Sequence, residues 1–245
     1  MSAEQVDGKV TNLNDIVIFS IGIGGSFEEA AEALREAKQG DKSSLTNIVI
    51  YSGEQIPSAY NTLDSNAQSY LAVRRFLEKN NVDAATLEAL ASLGKDPKTG
   101  LLNGLGFNIA NALLQERGIT QGHYILLDGN DMHGHNEAKG YSNVDDYLIA
   151  TGQAIMDSTR SGLDRRDDER KAPGRRESDA QDIVAHRLHD SAGDEFLVYV
   201  PLQHSHENME MVKKITHRML TRIYELEREV TLRHIEAEES YTLVA

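Results

Sequence analysis

The chain has 245 residues, a formal net charge of −14 and no cysteine. The length suffices for one large or two small domains with a real core. The acidic balance argues against general nucleic-acid or anionic-membrane binding, and the missing cysteines exclude a disulfide frame and a zinc–thiolate site. No long apolar run and no signal-peptide pattern occurs at Met1 to Val10, so a soluble, cytoplasmic protein is expected.

Residues 1–14 are polar and expected to fray. Asp15 to Ile23 is an apolar run that meets Gly22, Gly24 and Gly25, which reads as a central strand and a Gly-rich turn. Ser26 suits the N-cap of a helix over Phe27 to Lys38, with Glu28 and Glu29 in its first turn and Ala30, Ala33, Leu34 and Ala37 on its apolar face. Asn47 to Tyr51 reads as a strand. Residues 52–65 read as a loop, followed by a helix over Asn66 to Lys79 and a second one capped by Asp83 and carrying Leu87, Leu90 and Leu93.

Helical spacing of Phe107, Ile109, Ala110, Leu113 and Leu114 predicts a helix over Gly104 to Arg117. His123 to Leu127 is a short apolar run that reads as a buried strand and delivers Asp128 at its end. Asp145 to Met156 reads as the next helix, begun at Asp145. Residues 160–182 are dense in both charge signs and nearly free of apolar groups, the composition of a mobile loop. Ile183 to Leu188 and Phe196 to Val200 read as the arms of a hairpin whose turn carries Asp194 and Glu195. Glu207 to Arg228 reads as a long amphipathic helix with Met211, Ile215, Met219, Ile223 and Leu226 on its core stripe.

A carboxylate at a strand end, facing carboxylates on a neighbouring hairpin, suits a divalent cation held against a nucleoside triphosphate. Asp128 and the Asp194–Glu195 pair offer that arrangement. The alternating histidines His133-x-His135 and His204-x-His206 read as incidental loop residues rather than transition-metal ligands.

Three strings carry a resemblance. Asp96-Pro97-Lys98-Thr99-Gly100-Leu101-Leu102-Asn103 resembles the Asp-x-Leu-Thr-Gly-Leu-x-Asn opening of GGDEF domains, the diguanylate cyclases. Asp128-Gly129-Asn130-Asp131-Met132-His133-Gly134-His135-Asn136-Glu137, running on to Gly140 and Asp145, resembles their Asp-x-Asp-x-Phe-Lys-x-x-Asn-Asp segment. Ala192-Gly193-Asp194-Glu195-Phe196 stands at the signature, and the three occur in the family's order. A fourth match lies at the other end of the chain. Phe19 to Gly24, Ala31 to Lys38 and Asn47 to Tyr51 look like the family's C-terminal strand, helix and last strand. The chain thus resembles a circularly permuted GGDEF domain, or a slice across a tandem array.

The resemblance implies an α/β (α+β palm-like) fold with a central, mainly antiparallel sheet flanked by helices. It divides the chain into a strand–helix–strand unit over 1–53, a helical linker over 54–94 and a GGDEF-like core over 95–245. It implies a homodimer that condenses two GTP into cyclic di-GMP, with Mg²⁺ or Mn²⁺. Asp128, Asp194 and the Gly129 carbonyl match the metal ligands, and Asp194 and Glu195 the catalytic acids. Asn136 and Asp145 match the guanine readers, Lys38 and Lys42 the phosphate ligands, and Met132 and His133 the positions of a Phe-Lys pair at the substrate. Ala192 replaces the first signature Gly, Gly104 an Arg, and Arg176-Glu-Ser-Asp179 lies too far upstream for the family's product-inhibition motif. These departures leave a second function open, a GGDEF-like domain that holds GTP or a protein partner without turnover.

Overall fold

The computed structural model describes residues 5–6, 9–10, 19–39, 46–51, 84–160, 183–188 and 193–242, and single helical positions between 72 and 79. Lys42, Asp83, Ala192, the Arg176–Asp179 string and residues 161–182 lie outside them. Near the N-terminus Gln5–Val6 pairs antiparallel with Lys9–Val10, where the sequence led us to expect only fraying.

Among the described residues the main sheet has five strands: β1 (Phe19–Gly24), β2 (Thr46–Ile50), β3 (His123–Gly129), β4 (Val184–Arg187) and β5 (Glu195–Val200). Their spatial order is β2-β1-β3-β5-β4. Only β1 and β2 run parallel; β1 with β3, β3 with β5 and β5 with β4 are antiparallel. The helices are α1 (Phe27–Lys38), α2 (Ala84–Ser92), α3 (Gly104–Glu116), α4 (Met132–Lys139), α5 (Tyr141–Arg160) and α6 (His206–Thr242). The expected mixed fold, a mainly antiparallel sheet between helices, is present.

Alternation sorts the strand residues onto two faces. Ile21, Ile23, Ile125, Leu127, Phe196, Val198 and Val200 pack with α5 and α6 residues such as Tyr147, Ile155, Val212 and Met219. Tyr124, Leu126, Leu197 and Tyr199 face the other way, against Ala30 and Leu34 of α1 and Phe107 and Leu114 of α3. Ile125 and Leu127 are fully buried, and each such side chain contributes about 1.5–3 kcal/mol.

The same alternation explains the glycines of β1. Phe19, Ile21 and Ile23 fill one face, so Gly22 and Gly24 fall on the face that α1 covers. A Cβ at Gly22 would lie 2.1 Å from the Ala30 carbonyl oxygen and 2.3 Å from the Leu34 nitrogen. Glycine at this position lets the helix backbone rest directly on the strand. Ser26 caps α1 as expected, its hydroxyl accepting from the Glu29 amide at 3.1 Å.

Several boundaries differ from the sequence reading. β3 continues to Gly129, so Asp128 lies within the ladder and not beyond it. The helix expected from Asp145 begins at Tyr141, after Gly140 at φ 82°, so Asp145 is not its N-cap. Asn136 sits in α4, and Asp131, in the left-handed region at φ 56°, caps that helix. The last helix runs from His206 to Thr242, well past Arg228. Its buried face carries Val212, Thr216, Met219, Ile223, Glu227 and Val230. Met219 and Ile223 match the expected stripe and Ile215 and Leu226 pack at its edge, while Thr216 and Glu227 place polar groups on the buried face. No helix among the described residues is long and apolar enough to cross a membrane.

Candidate active site

Following β3 outward, Tyr124, Leu126 and Asp128 share the face covered by α1. In register across from Asp128 stands Glu195, the first residue of β5. Lys38, at the C-terminal end of α1, reaches over the same face, and its Nζ lies 2.9 Å from Asp128 Oδ1. Asp194 precedes β5, and its carbonyl accepts from the Gly129 amide at 3.3 Å. Lys38, Asp128, Gly129, Asp194 and Glu195 are thus brought together at one end of the sheet. They come from segments 157 positions apart in sequence (Lys38 to Glu195).

The electrostatics of this cluster follow from its surroundings. Burial pushes the Asp128 carboxyl above its ordinary range, Lys38 opposes that, and Asp194 and Glu195 add to it. Burial also pushes Asp194 up, as does Glu195, while its own backbone amide, Lys38 and Arg187 pull the other way. Three acids against one nearby ammonium leave a local excess of negative charge, which a cation would offset.

The donor set is all oxygen. Among the described residues no three His, Cys, Asp or Glu side chains stand close enough to close on one ion. Magnesium does not need such a cage. It is commonly held by one or two carboxylates together with substrate phosphates and water. Asp128 and Asp194, with the Gly129 carbonyl, fit that requirement. His204 Nε2 lies 2.8 Å from the Gly122 carbonyl oxygen, and its ring is tilted 55° against that of His123.

Gly193, the residue just before Asp194, is anchored by a group the sequence reading passed over. Arg187, in β4, is 2% exposed. Its Nε and Nη2 donate to the Gly193 carbonyl at 2.9 and 2.7 Å, and its Nη1 lies 3.4 Å from Asp96 Oδ2. Asp96 is equally buried and also accepts from the Thr99 amide at 2.7 Å, the Thr99 hydroxyl at 2.8 Å and the Lys98 amide at 3.2 Å. Burial alone would raise the Asp96 carboxyl; the Thr99 donors, Arg187 and the Lys98 amide outweigh it and hold the group below its ordinary value. The opening string thus works as a buried clamp on the residue just before Asp194. The spacing Asp96-x-x-Thr99 is a local signal for the side-chain turn. Nothing local marks Arg187 as its partner.

The remaining expected site residues lie elsewhere. Met132, at the start of α4, packs against the hydrophobic core and lines a narrow crevice with Asp194, Gly129, Tyr147, Thr151 and Glu227. It is a core residue with one edge at the site. His133 is exposed and pairs with Glu137 at 3.1 Å, one helical turn on. No hydrogen bond or ion pair between described residues links it to the carboxylates. Asn136 and Asp145 lie on the consecutive helices α4 and α5. The Asn136 Oδ1 is buried and has no hydrogen-bond partner among the described residues. Asp145 Oδ1 is held by Lys98 Nζ at 2.5 Å. Glu227, fully buried on α6 and 3.5 Å from the Thr151 hydroxyl, is a second acid of the crevice that the sequence reading missed.

No family model matches the chain, and no curated protein matches it. Among solved structures it is similar to the diguanylate cyclase SiaD from Pseudomonas aeruginosa, solved in complex with its activator SiaC. That match has 17% identity, a TM-score of 0.37, and covers 63% of this chain and 49% of that one. It is also similar to the coiled coil and GGDEF domain of DgcB from Caulobacter crescentus, solved in complex with c-di-GMP. There the identity is 19%, the TM-score 0.35, and the match covers 61% of this chain and 64% of the other. The match thus spans less than two thirds of either chain. The first of these two is a diguanylate cyclase and the second carries a GGDEF domain.

Proposed function

We propose that this chain binds GTP together with Mg²⁺ or Mn²⁺ and, as a homodimer, condenses two GTP into cyclic di-GMP. The observation that carries the reading is the meeting of Lys38 and Asp128 at 2.9 Å, with Glu195 in register across from Asp128 and Asp194 joined through its carbonyl to the Gly129 amide. The order of the three matching strings supports it. The antiparallel register of β1 on β3 supports reading the N-terminal segment as the family's last third, permuted to the front and folded into the same sheet.

In the reaction, each 3′ oxygen forms a bond to the α-phosphorus of the other GTP and pyrophosphate leaves. Asp128 and Asp194, with the Gly129 carbonyl, would hold the cation. When bound, the cation supplies charge neutralisation of the triphosphate and a lowered pKa for the attacking hydroxyl. Lys38 exchanges Asp128 for phosphate oxygens; it sits 41% exposed and so has room to do so. Glu195 takes up the hydroxyl proton. Asp145 accepts from the N1–H and exocyclic amine of guanine, with Asn136 beside it. Two protomers face each other because each brings one GTP.

The test is incubation of the full chain with GTP and Mg²⁺, with the product identified by mass spectrometry. Cyclic di-GMP that disappears in Asp194→Ala is the expected result. GTP binding without product would overturn the cyclase reading and leave a nucleotide-holding domain. Failure to bind GTP at all would overturn both.

A further inference from the structure

Lys98 stands where the matching string has an apolar Leu, and the structure gives it a position of its own. Its backbone amide is fixed by the buried Asp96 carboxylate at 3.2 Å, so only the side-chain stem is free to adjust. Its Nζ meets Asp145 Oδ1 at 2.5 Å, with the Lys98 side chain 33% and the Asp145 side chain 43% exposed. A half-exposed ion pair of this kind contributes little to stability. What it does is set a donor and an acceptor side by side at the surface.

That pair matches one edge of guanine. O6 accepts, and the adjacent N1–H and N2 amine donate. A carboxylate facing N1–H and the amine leaves the neighbouring ammonium facing O6. Adenine reverses both positions, putting its N6 amine before the ammonium and its N1 lone pair before the carboxylate. Once covered by the bound base, polar groups left mismatched in this way make a site reject an analogue. Resting on the GTP reading above, we propose that Lys98 is a specificity-determining residue, donating to guanine O6 while Asp145 accepts from N1–H and the amine.

The experiment compares GTP, 6-thio-GTP and ITP by equilibrium dialysis with Mg²⁺, using the full chain and its Lys98→Met and Lys98→Arg variants. The thio analogue keeps N1–H and the amine but replaces O6 by a poor acceptor. ITP keeps O6 and N1–H but lacks the amine. The wild-type chain is expected to bind GTP about tenfold more tightly than 6-thio-GTP, the scale of one hydrogen bond to a charged group. Lys98→Met is expected to bind the two alike while still preferring GTP over ITP, and Lys98→Arg to restore part of the O6 preference. If Lys98→Met keeps the wild-type ratio of GTP to 6-thio-GTP, or binds GTP more tightly than the wild type, the inference is overturned while GTP binding stands. If the wild-type chain binds none of the three, the GTP reading fails and this inference with it. Thermal melts within about 2 °C of wild type, the scale of a small surface change, confirm that each variant is folded.

Discussion

Replacing Arg187 by Met should separate the anchoring of Gly193 from the chemistry at Asp194. The substitution keeps much of the aliphatic stem and removes the guanidinium. Three contacts are lost: two donors to the Gly193 carbonyl at 2.9 and 2.7 Å and the approach to Asp96 at 3.4 Å. Asp96 is left as a carboxylate 2% exposed, and removing one partner of a buried ion pair costs about 3–5 kcal/mol. Three donors to Asp96 remain, from Thr99 and Lys98, and the Asp96–Arg187 contact is long. We therefore expect the lower end, about 3 kcal/mol, or a fall in Tm of about 6–12 °C at this chain length. The double variant Asp96→Asn/Arg187→Met should recover at least about 1 kcal/mol of that loss, because no uncompensated charge stays buried. Urea denaturation of the four proteins gives the coupling directly. A loss below about 1 kcal/mol in Arg187→Met, or strict additivity in the cycle, would refute the clamp. The pH dependence carries the same sign. The depressed Asp96 carboxyl contributes stability above its ordinary value of 3.8, lost as pH falls through the lower folded value. Asp96→Asn should show a shallower loss of stability in acid.

Asp194 should behave in the opposite sense. Its folded pKa is raised above 3.8, so the folded state holds its proton more tightly and stability falls as pH rises through that window. Asp194→Asn should melt about 1–3 °C above the wild type at neutral pH without metal, the gap closing below the ordinary carboxylate value; a lower melt at neutral pH would contradict the charge reading. Lys38→Gln should weaken GTP binding about tenfold, as expected for one lost charge-assisted contact, measured by equilibrium dialysis; unchanged affinity would remove Lys38 from the site. Gly22→Ala should cost more than about 3 kcal/mol, since its Cβ would meet helix backbone rather than a movable side chain, and a stable variant in urea denaturation would mean that α1 shifts freely on β1.

The parts of this fold that could be read early are those whose signals are local. The run from His123 to Leu127 is bounded by polar residues and alternates cleanly between two packed faces. Ser26 marks a helix start by side-chain chemistry alone. Asp128, Asp194 and Glu195 stood out because carboxylates beside apolar strands need a reason. What stayed hidden depends on distant partners. Arg187 looks like an ordinary strand-end cation until Asp96 and Gly193 close around it. Glu227 falls in a charged run of a long helix, and only the packing of α5 shows that it is buried. Lys98 reads as a turn lysine until α5 brings Asp145 against it. Asp145 reads as a helix start because nothing local marks Gly140, whose positive φ precedes the true first turn at Tyr141.

On the proposed function, Asp128 and Asp194 share one divalent cation in the presence of a triphosphate. Titration of Mn²⁺ followed by electron paramagnetic resonance, with a non-hydrolysable GTP analogue present, tests it most directly. The expected result is a bound-ion signal that depends on the nucleotide and that is weakened at least tenfold in both Asp128→Asn and Asp194→Asn, no less than the loss of an outer-shell partner costs. An ion that binds as tightly to either variant as to the wild-type chain would contradict it.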